Sequence, residues 1–381
     1  MRRFGAAKRW IDVARILISG DYGFGNAGDE AILSSMVFGL RKAIDNADIC
    51  VVSSNPEQTA LHHAVRSVAQ LDVAGLLSQI ANTDILLSGG GSLLQDVTSV
   101  RSLVYYLSLM AAAKAMRKRV MLFANGFGPV NTAQGKALTK IVLNKIDMAT
   151  FRDKPSYDEV VALGITLPTM EVTADPVFML EDLLSDERLE SARAQAQDAL
   201  QKSGVPDGTG PLVAVSLRPW KYAAAQFERE VSGALMRLAS AGVRVLLLPF
   251  HYDQDLEFCE RFVPGAPFYV MRERLAPECI LELLGMADAL LGMRLHSLVF
   301  SVCKCVPCAA VSYDPKVTSF AETVGIPVAC HATQPDQHSI FNTLSSILTH
   351  KTAVASSLAK QRSLQKQSAK RNIEMVTELL R

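Results

Sequence analysis

Short apolar runs that end in a turn signal and give way to a helical pattern recur along most of the chain, and this alternation limits the fold more than any other feature. In the first half Ala14–Ser19, 49–53, 84–88, 119–124 and Met148–Phe151 read as strands. Helices follow, one beginning near Asp29, one over roughly 101–116 and one over 133–145. Asp153 is suited to cap a further helix, with Pro155 tolerated in its first turn. After a charged, alanine-rich helix over 181–202, the turn formers Ser203-Gly204-Val205-Pro206-Asp207-Gly208-Thr209-Gly210 interrupt the pattern. Alternation then restarts with apolar runs at 212–217, 243–249, 268–271, 287–292 and 308–311, and a helical tail fills 353–381. Near-continuous apolar strands alternating with helices imply parallel sheets covered on both faces. The expected fold is α/β, with two Rossmann-like doubly wound parallel-sheet domains facing across a cleft. The expected domains are 1–202 and 211–381, joined by a linker near 203–210.

Lys+Arg 39 against Asp+Glu 38 leaves no basic excess to attract nucleic acid, so no nucleic-acid partner is expected. No run of about eighteen apolar residues is present, and Met1-Arg2-Arg3-Phe4-Gly5 does not lead into a signal core. A cytoplasmic location is the expectation. The seven cysteines are an odd, scattered set. Cys305 and Cys308 have C-x-x-C spacing but run into a strand rather than a helix, and no second pair accompanies them for zinc. They read as reduced small hydrophobes, and no metal site is expected.

Chemistry concentrates where apolar runs end. Gly292-Met293-Arg294-Leu295-His296-Ser297 and Ser312-Tyr313-Asp314-Pro315-Lys316 each place cationic groups just past a strand, the edge at which parallel sheets hold ligands. Arg218 follows another strand end. Arg218, Arg294, His296 and Lys316 together suit a phosphate or carboxylate ligand, with His296 a candidate proton donor. Arg152, from the first domain, is a candidate to close over the same anion.

The other glycine-marked turns have a different character. Gly23-Phe24-Gly25-Asn26-Ala27-Gly28 matches the dinucleotide fingerprint, but Ser53-Ser54-Asn55 stands where a ribose-binding carboxylate belongs. No nicotinamide cofactor is therefore expected, nor any other. Gly25, Asn26 and Asp29, the run Gly89-Gly90-Gly91-Ser92 with Asp96, and Asn125 form a set of amides, hydroxyls and carboxylates suited to sugar hydroxyls. Gly89–91 is expected to turn from strand to helix with positive φ.

The octet 23–30, the run 89–96, Phe151-Arg152-Asp153, Ala174-Asp175-Pro176 and Met293-Arg294-Leu295-His296 resemble, in order, the motifs of the polysaccharide pyruvyltransferase family. Within it the chain is most similar to the CsaB-type bacterial enzymes. The resemblance implies a GT-B-like fold, phosphoenolpyruvate as donor, and a pyruvyl ketal formed on a sugar. For CsaB-type members it further implies N-acetylmannosamine of a lipid-linked secondary cell-wall polysaccharide precursor, a ketal that helps to anchor surface-layer proteins. On this reading His296 and Asp29 are catalytic, and Arg152, Arg218, Arg294 and Lys316 bind the donor. Gly25, Asn26, Gly90, Gly91, Ser92, Asp96 and Asn125 bind the acceptor. The competing expectation is a GT-B glycosyltransferase using a nucleotide sugar. Lys360, Arg362, Lys366, Lys370 and Arg371, with Arg2, Arg3, Lys8 and Arg9, raise a peripheral contact with the inner face of a membrane. A homo-oligomer stays open.

Overall fold

The computed structural model describes residues 13–97, 100–208 and 210–381. Arg2, Arg3, Lys8, Arg9 and Thr209 lie outside the described residues. The chain forms two compact units, one of 1–24, 32–179 and 367–381, the other of 25–31 and 180–366.

The first unit carries β1 (Ala14–Ser19), α1 (Ala27–Ala43) from Ile32 onward, β2 (Ala47–Ser53), α2 (Pro56–His63), β3 (Arg66–Ala69), α3 (Val73–Asn82) and β4 (Ile85–Ser88). It continues with β5 (Gly91–Leu94), α4 (Val100–Ala115), β6 (Arg119–Phe127), α5 (Ala133–Leu143), β7 (Met148–Phe151), α6 (Lys154–Ala162) and β8 (Thr169–Val172). Among the described residues its strands lie in the order β3-β2-β1-β4-β6-β7-β8, with β5 beside β6. The order reverses between β1 and β4, and every ladder is parallel.

The second unit carries α7 (Leu180–Leu183), α8 (Asp186–Lys202), β9 (Leu212–Ser216), α9 (Phe227–Ser240), β10 (Arg244–Leu247), α10 (Tyr252–Glu260), β11 (Phe268–Val270) and α11 (Pro277–Gly285). Then come β12 (Ala289–Gly292), α12 (Leu295–Cys303), β13 (Cys308–Ser312), α13 (Pro315–Val324), β14 (Val328–His331), α14 (Gln337–Thr349) and α15 (Lys351–Leu380) as far as Lys366. Its sheet, β11-β10-β9-β12-β13-β14, is parallel and reverses between β9 and β12. Such a reversal opens a crevice at the carboxyl ends of the strands, where ligands bind in open α/β sheets.

The strands are apolar because both faces are covered: every residue of β4, β9, β12 and β13 is buried. In the second unit Val231 and Leu235 of α9 and Ile340 and Leu344 of α14 pack with Val213, Val215, Leu247 and Leu291. Each such side chain contributes roughly 1.5–3 kcal/mol by leaving water. Side-chain caps set several of the strand-to-helix joints. Asp153 accepts the Ser156 amide at 2.8 Å, as its sequence position predicts, and Asp314 accepts that of Lys316 at 2.9 Å.

Three features differ from the sequence reading. The compact units divide at 179/180, not at the turn cluster 203–210. The physical reason is that α8 packs on α11, with Arg188 paired to Glu278 and Cys279 Sγ donating to Gln195 Oε1. Likewise the tail does not all stay with the second unit. Arg371 pairs with Glu171, and Asn372 bonds to Thr173 and Ala174, so 367–381 joins the first. Finally, Gly89–91 leads into a strand, β5, and of its three glycines only Gly91 has positive φ. Two of the tail's basic residues are spent on internal pairs, Lys366 with Asp182 and Arg371 with Glu171 and Glu378, while Arg362 donates to the Cys303 carbonyl. No helix among the described residues is long and apolar enough to cross a membrane.

Candidate active site

In the second unit the residues expected to do chemistry gather past strand ends, Arg294 and His296 with Lys316 at the starts of helices and Arg218 in the loop after β9. Each follows the carboxyl end of a strand, where backbone amides point outward. Arg294 is the residue before α12 and His296 is its second residue. The first turn of α1 belongs to this unit, and His296 lies against it. A Cβ placed on Gly28 would stand 2.1 Å from His296 Nδ1 and 2.3 Å from its Cγ. Gly28 therefore seats the imidazole. Next to it, Asp29 is 8% exposed and accepts from Asn26 Nδ2 at 2.5 Å, while Asn26 Oδ1 accepts the Gly28 amide at 3.1 Å. Gly25 has φ +75°, and a side chain there would meet Arg274 and Asp253. Gly25, Asn26 and Asp29, expected on the rim of the first domain, thus belong with His296.

The four cations expected around a donor are not equivalent. Arg218, just past β9, donates from Nη1 to Tyr313 Oη at 3.0 Å and lies 5.1 Å from the Tyr313 ring centre and 5.7 Å from that of Trp220. Its Nε is buried without a hydrogen-bond partner, and it forms no ion pair among the described residues. Because β9 and β13 flank β12, the Arg218–Tyr313 contact spans the end of β12 beside the topological reversal. Lys316 is the second residue of α13, its amide held by Asp314. Arg294, in contrast, is 9% exposed and gripped by Asp255, with Nε to Oδ2 at 2.8 Å and Nη2 to Oδ1 at 2.5 Å. Its charge is balanced by the buried carboxylate, which takes the Nε and Nη2 edge of the fork and leaves Nη1 aside. His251, at the start of α10, has its imidazole held below the usual value by burial and by the Arg294 guanidinium, against the pull of Asp255 and Asp253.

The remaining expected residues gather in the first unit. Arg152 has a 6% exposed side chain. It reaches Asp175 Oδ2 at 3.3 Å and Ser92 Oγ at 3.1 Å, with Asp153 3.8 Å away. Gly126 leaves room for this arrangement, since a Cβ there would stand 3.0 Å from Arg152 Nε. Asn125 is fully buried and donates to the Gly89 carbonyl at 3.0 Å. Its Oδ1 and the hydroxyls of Ser19 and Ser88 are buried without hydrogen-bond partners among the described residues. Ser19 and Ser88 end the adjacent strands β1 and β4, and Asn125 stands opposite Gly91 in the β5–β6 ladder. Asp96 is different. Burial would raise its pKa, but the amides of Asn131 and Thr132 and the Thr132 hydroxyl hold it below the usual carboxylate range. With its oxygens on that turn at 2.7–2.8 Å, Asp96 caps the approach to α5 rather than presenting a carboxylate to a sugar.

Sequence reasoning missed Asp255 and Trp220, and it quoted Tyr313 and Asp175 within motifs without giving either a part in these clusters. Asp255 carried a faint signal as one of two aspartates in the first turn of α10. Only the fold shows that Asp255 is 0% exposed while Asp253 faces outward.

Solved structures match the chain over nearly its whole length at low identity. A UDP-GlcNAc 2-epimerase from Neisseria meningitidis bound to UDP-GlcNAc is 11% identical, with TM-score 0.67, covering 96% of this chain and 99% of its own. The Anabaena protein Alr3699/HepE in complex with UDP and glucose is 12% identical, with TM-score 0.62 and coverages of 96% and 99%. The MnaA–UDP structure from S. aureus is 10% identical, with TM-score 0.67 and coverages of 96% and 95%. These likenesses show the GT-B-like fold and leave the chemistry to the site. The family model described as polysaccharide pyruvyl transferase matches residues 26–315. That span begins at Asn26 beside the histidine seat and takes in Arg152, Arg218, Arg294 and His296, and the chain belongs to the polysaccharide pyruvyl transferase family.

Proposed function

We propose that this protein transfers the pyruvyl group of phosphoenolpyruvate to a sugar, closing a 4,6-ketal and releasing phosphate. The proposed acceptor is N-acetylmannosamine in a lipid-linked secondary cell-wall polysaccharide precursor, as in CsaB-type enzymes. The observation that carries the reading is His296 seated on Gly28 beside Asp29, at the sheet edge that also bears Arg218. A small phosphate-carboxylate needs cations that no protein carboxylate already neutralises. Arg218 meets that need, and Lys316, at the start of α13, is proposed to bind the donor beside it. A polyanion bound there favours the imidazolium form of His296.

Protonation of C3 by His296 makes C2 an oxocarbenium-like electrophile. One sugar hydroxyl adds at C2, phosphate leaves, and the second hydroxyl closes the ring. Of the two hydroxyl protons, one restores His296 and the other leaves with phosphate, so the atoms balance. Asp29 orients or deprotonates the first hydroxyl, with Asn26 fixing its carboxylate. Arg152, Ser92, Gly90, Gly91 and Asn125 are proposed to bind substrate.

The test uses phosphoenolpyruvate with an N-acetylmannosamine-containing acceptor. Phosphate release and a product heavier by one pyruvyl ketal are expected, with one solvent deuteron in the new methyl group when the reaction runs in heavy water. His296→Ala should lower turnover by roughly two to four orders of magnitude, the usual contribution of a general acid. Wild-type turnover in that variant would remove His296 from the mechanism. The UDP bound to several fold neighbours favours one alternative, a GT-B glycosyltransferase. Transfer from a UDP-sugar with no response to phosphoenolpyruvate would establish it instead.

A further inference from the structure

We infer that Asp255 is a positioning residue that sets the geometry of the histidine seat, and that Arg294 is its partner in that role rather than a ligand for the donor. Asp255 gathers four hydrogen bonds. Its Oδ2 accepts the amides of Phe250 at 3.2 Å and His251 at 2.9 Å together with Arg294 Nε at 2.8 Å, and its Oδ1 accepts Arg294 Nη2 at 2.5 Å. The loop it caps is bound in turn to the start of α1. The Phe250 carbonyl accepts the Ala27 amide at 2.8 Å, His251 pairs with Asn26 in an antiparallel bridge, and the Tyr252 amide donates to the Gly25 carbonyl at 3.3 Å.

A closed circuit results. From Asp255 it runs to Arg294, through Leu295 to His296, across the contact with Gly28, through Ala27 to Phe250, and back to Asp255. Asp255 thus fixes two things at once: the angle at which α12 presents His296, and the place of the Gly28 surface on which the ring rests. A buried ion pair is a poor device for stability alone, since apolar replacements often serve as well. Here the pair joins the starts of three helices. It also leaves Arg294 with its charge balanced, unlike Arg218.

The positioning role is defined without reference to substrate; only its kinetic consequence rests on the proposed pyruvyl transfer. The variants are Asp255→Asn, Arg294→Gln, Arg294→Lys and the double Asp255→Asn/Arg294→Gln. The first readout needs no activity. The imidazole nitrogen shifts of His296 are followed by NMR in ligand-free protein labelled at histidine, the signal assigned by its loss in His296→Gln. Displaced His296 shifts are expected in each single variant and in the double. The second readout is steady-state kinetics. Each single variant should lose about 10- to 100-fold in kcat, the scale of an ångström-level misplacement, with the phosphoenolpyruvate KM within about threefold of wild type. The double variant should lose no more than the worse single, because both act through one circuit. Arg294→Lys should recover little, since an ammonium cannot span both oxygens. If a single variant does not fold, the double, which strands no buried charge, supplies the same comparison. A His296 signal unmoved in the folded variants overturns the inference. So does a tenfold or larger rise in phosphoenolpyruvate KM in Arg294→Gln with kcat retained, which would make Arg294 a donor ligand. Absence of pyruvyl transfer in the wild type would count against the proposed function and leave the NMR result standing.

Discussion

At Gly28 two opposing effects decide what a single methyl group does. Alanine is favoured over glycine inside a helix by about 1 kcal/mol, and Gly28 is not among the residues with positive φ, so the backbone would welcome the change. The side chain has no such room, because the new Cβ would fall 2.1 Å from His296 Nδ1. The imidazole must move. The new Cβ would also fall 2.7 Å from His296 Cβ, a clash that no turn of the ring relieves, so Gly28→Ala should lower pyruvyl transfer by about 100-fold and the melting temperature with it, read by initial rates and a thermal melt on one preparation. Wild-type rates in the alanine variant would show that the seat does not govern catalysis. The sequence made Gly28 visible only as the last glycine of a phosphate-binding pattern. Its reason for being glycine is a side chain from α12, and no local pattern reports a partner so far along the chain. The same limit separates Arg294 from Arg218. Both read as cations past a strand end, and only the fold shows that one faces a buried carboxylate and the other faces aromatic rings.

Elements were more legible than their destinations. The strand at Met148–Phe151 and the cap at Asp153 follow from apolar runs and capping chemistry, which are local. The C-terminal helix follows from periodicity, yet nothing in its sequence tells which unit its end joins. Asn372 supplies the answer. It is fully buried, donates to the Ala174 carbonyl at 3.1 Å and to the Ala369 carbonyl at 2.9 Å, and accepts from the Thr173 hydroxyl at 2.8 Å. Asn372→Ala leaves Thr173 and Ala174 short of buried partners and should cost about 1–3 kcal/mol. Arg371 beside it bonds Glu171 at 2.8 Å, but both side chains are about one-third exposed, so Arg371→Ala should cost less than about 1 kcal/mol. The order of the two effects in urea melts is the test. An arginine variant weaker than the asparagine variant would mean that surface charge, and not the buried amide, holds the end of α15 to β8.

At the scale of the whole molecule, alternating strands and helices suffice for the GT-B-like class, because buried parallel strands and their crossovers leave a coarse imprint on the sequence. That class is shared with a UDP-GlcNAc 2-epimerase bound to UDP-GlcNAc and with other proteins whose structures hold UDP, so it cannot by itself choose a donor. The choice falls to charge. Arg218 has no carboxylate partner among the described residues and its Nε is buried without an acceptor, a state that an incoming anion relieves. Binding to the folded state alone stabilises it by RT ln(1 + [L]/Kd), about 2.7 kcal/mol at one hundred times Kd. Phosphoenolpyruvate should accordingly raise the melting temperature in a dose-dependent way, while UDP-GlcNAc at the same concentrations leaves it unchanged. Arg218→Gln should flatten the phosphoenolpyruvate response, whereas Asp96→Asn, which alters only the turn before α5, should keep it. Stabilisation by UDP-GlcNAc with none by phosphoenolpyruvate would make Arg218 a diphosphate ligand and return the chain to nucleotide-sugar chemistry.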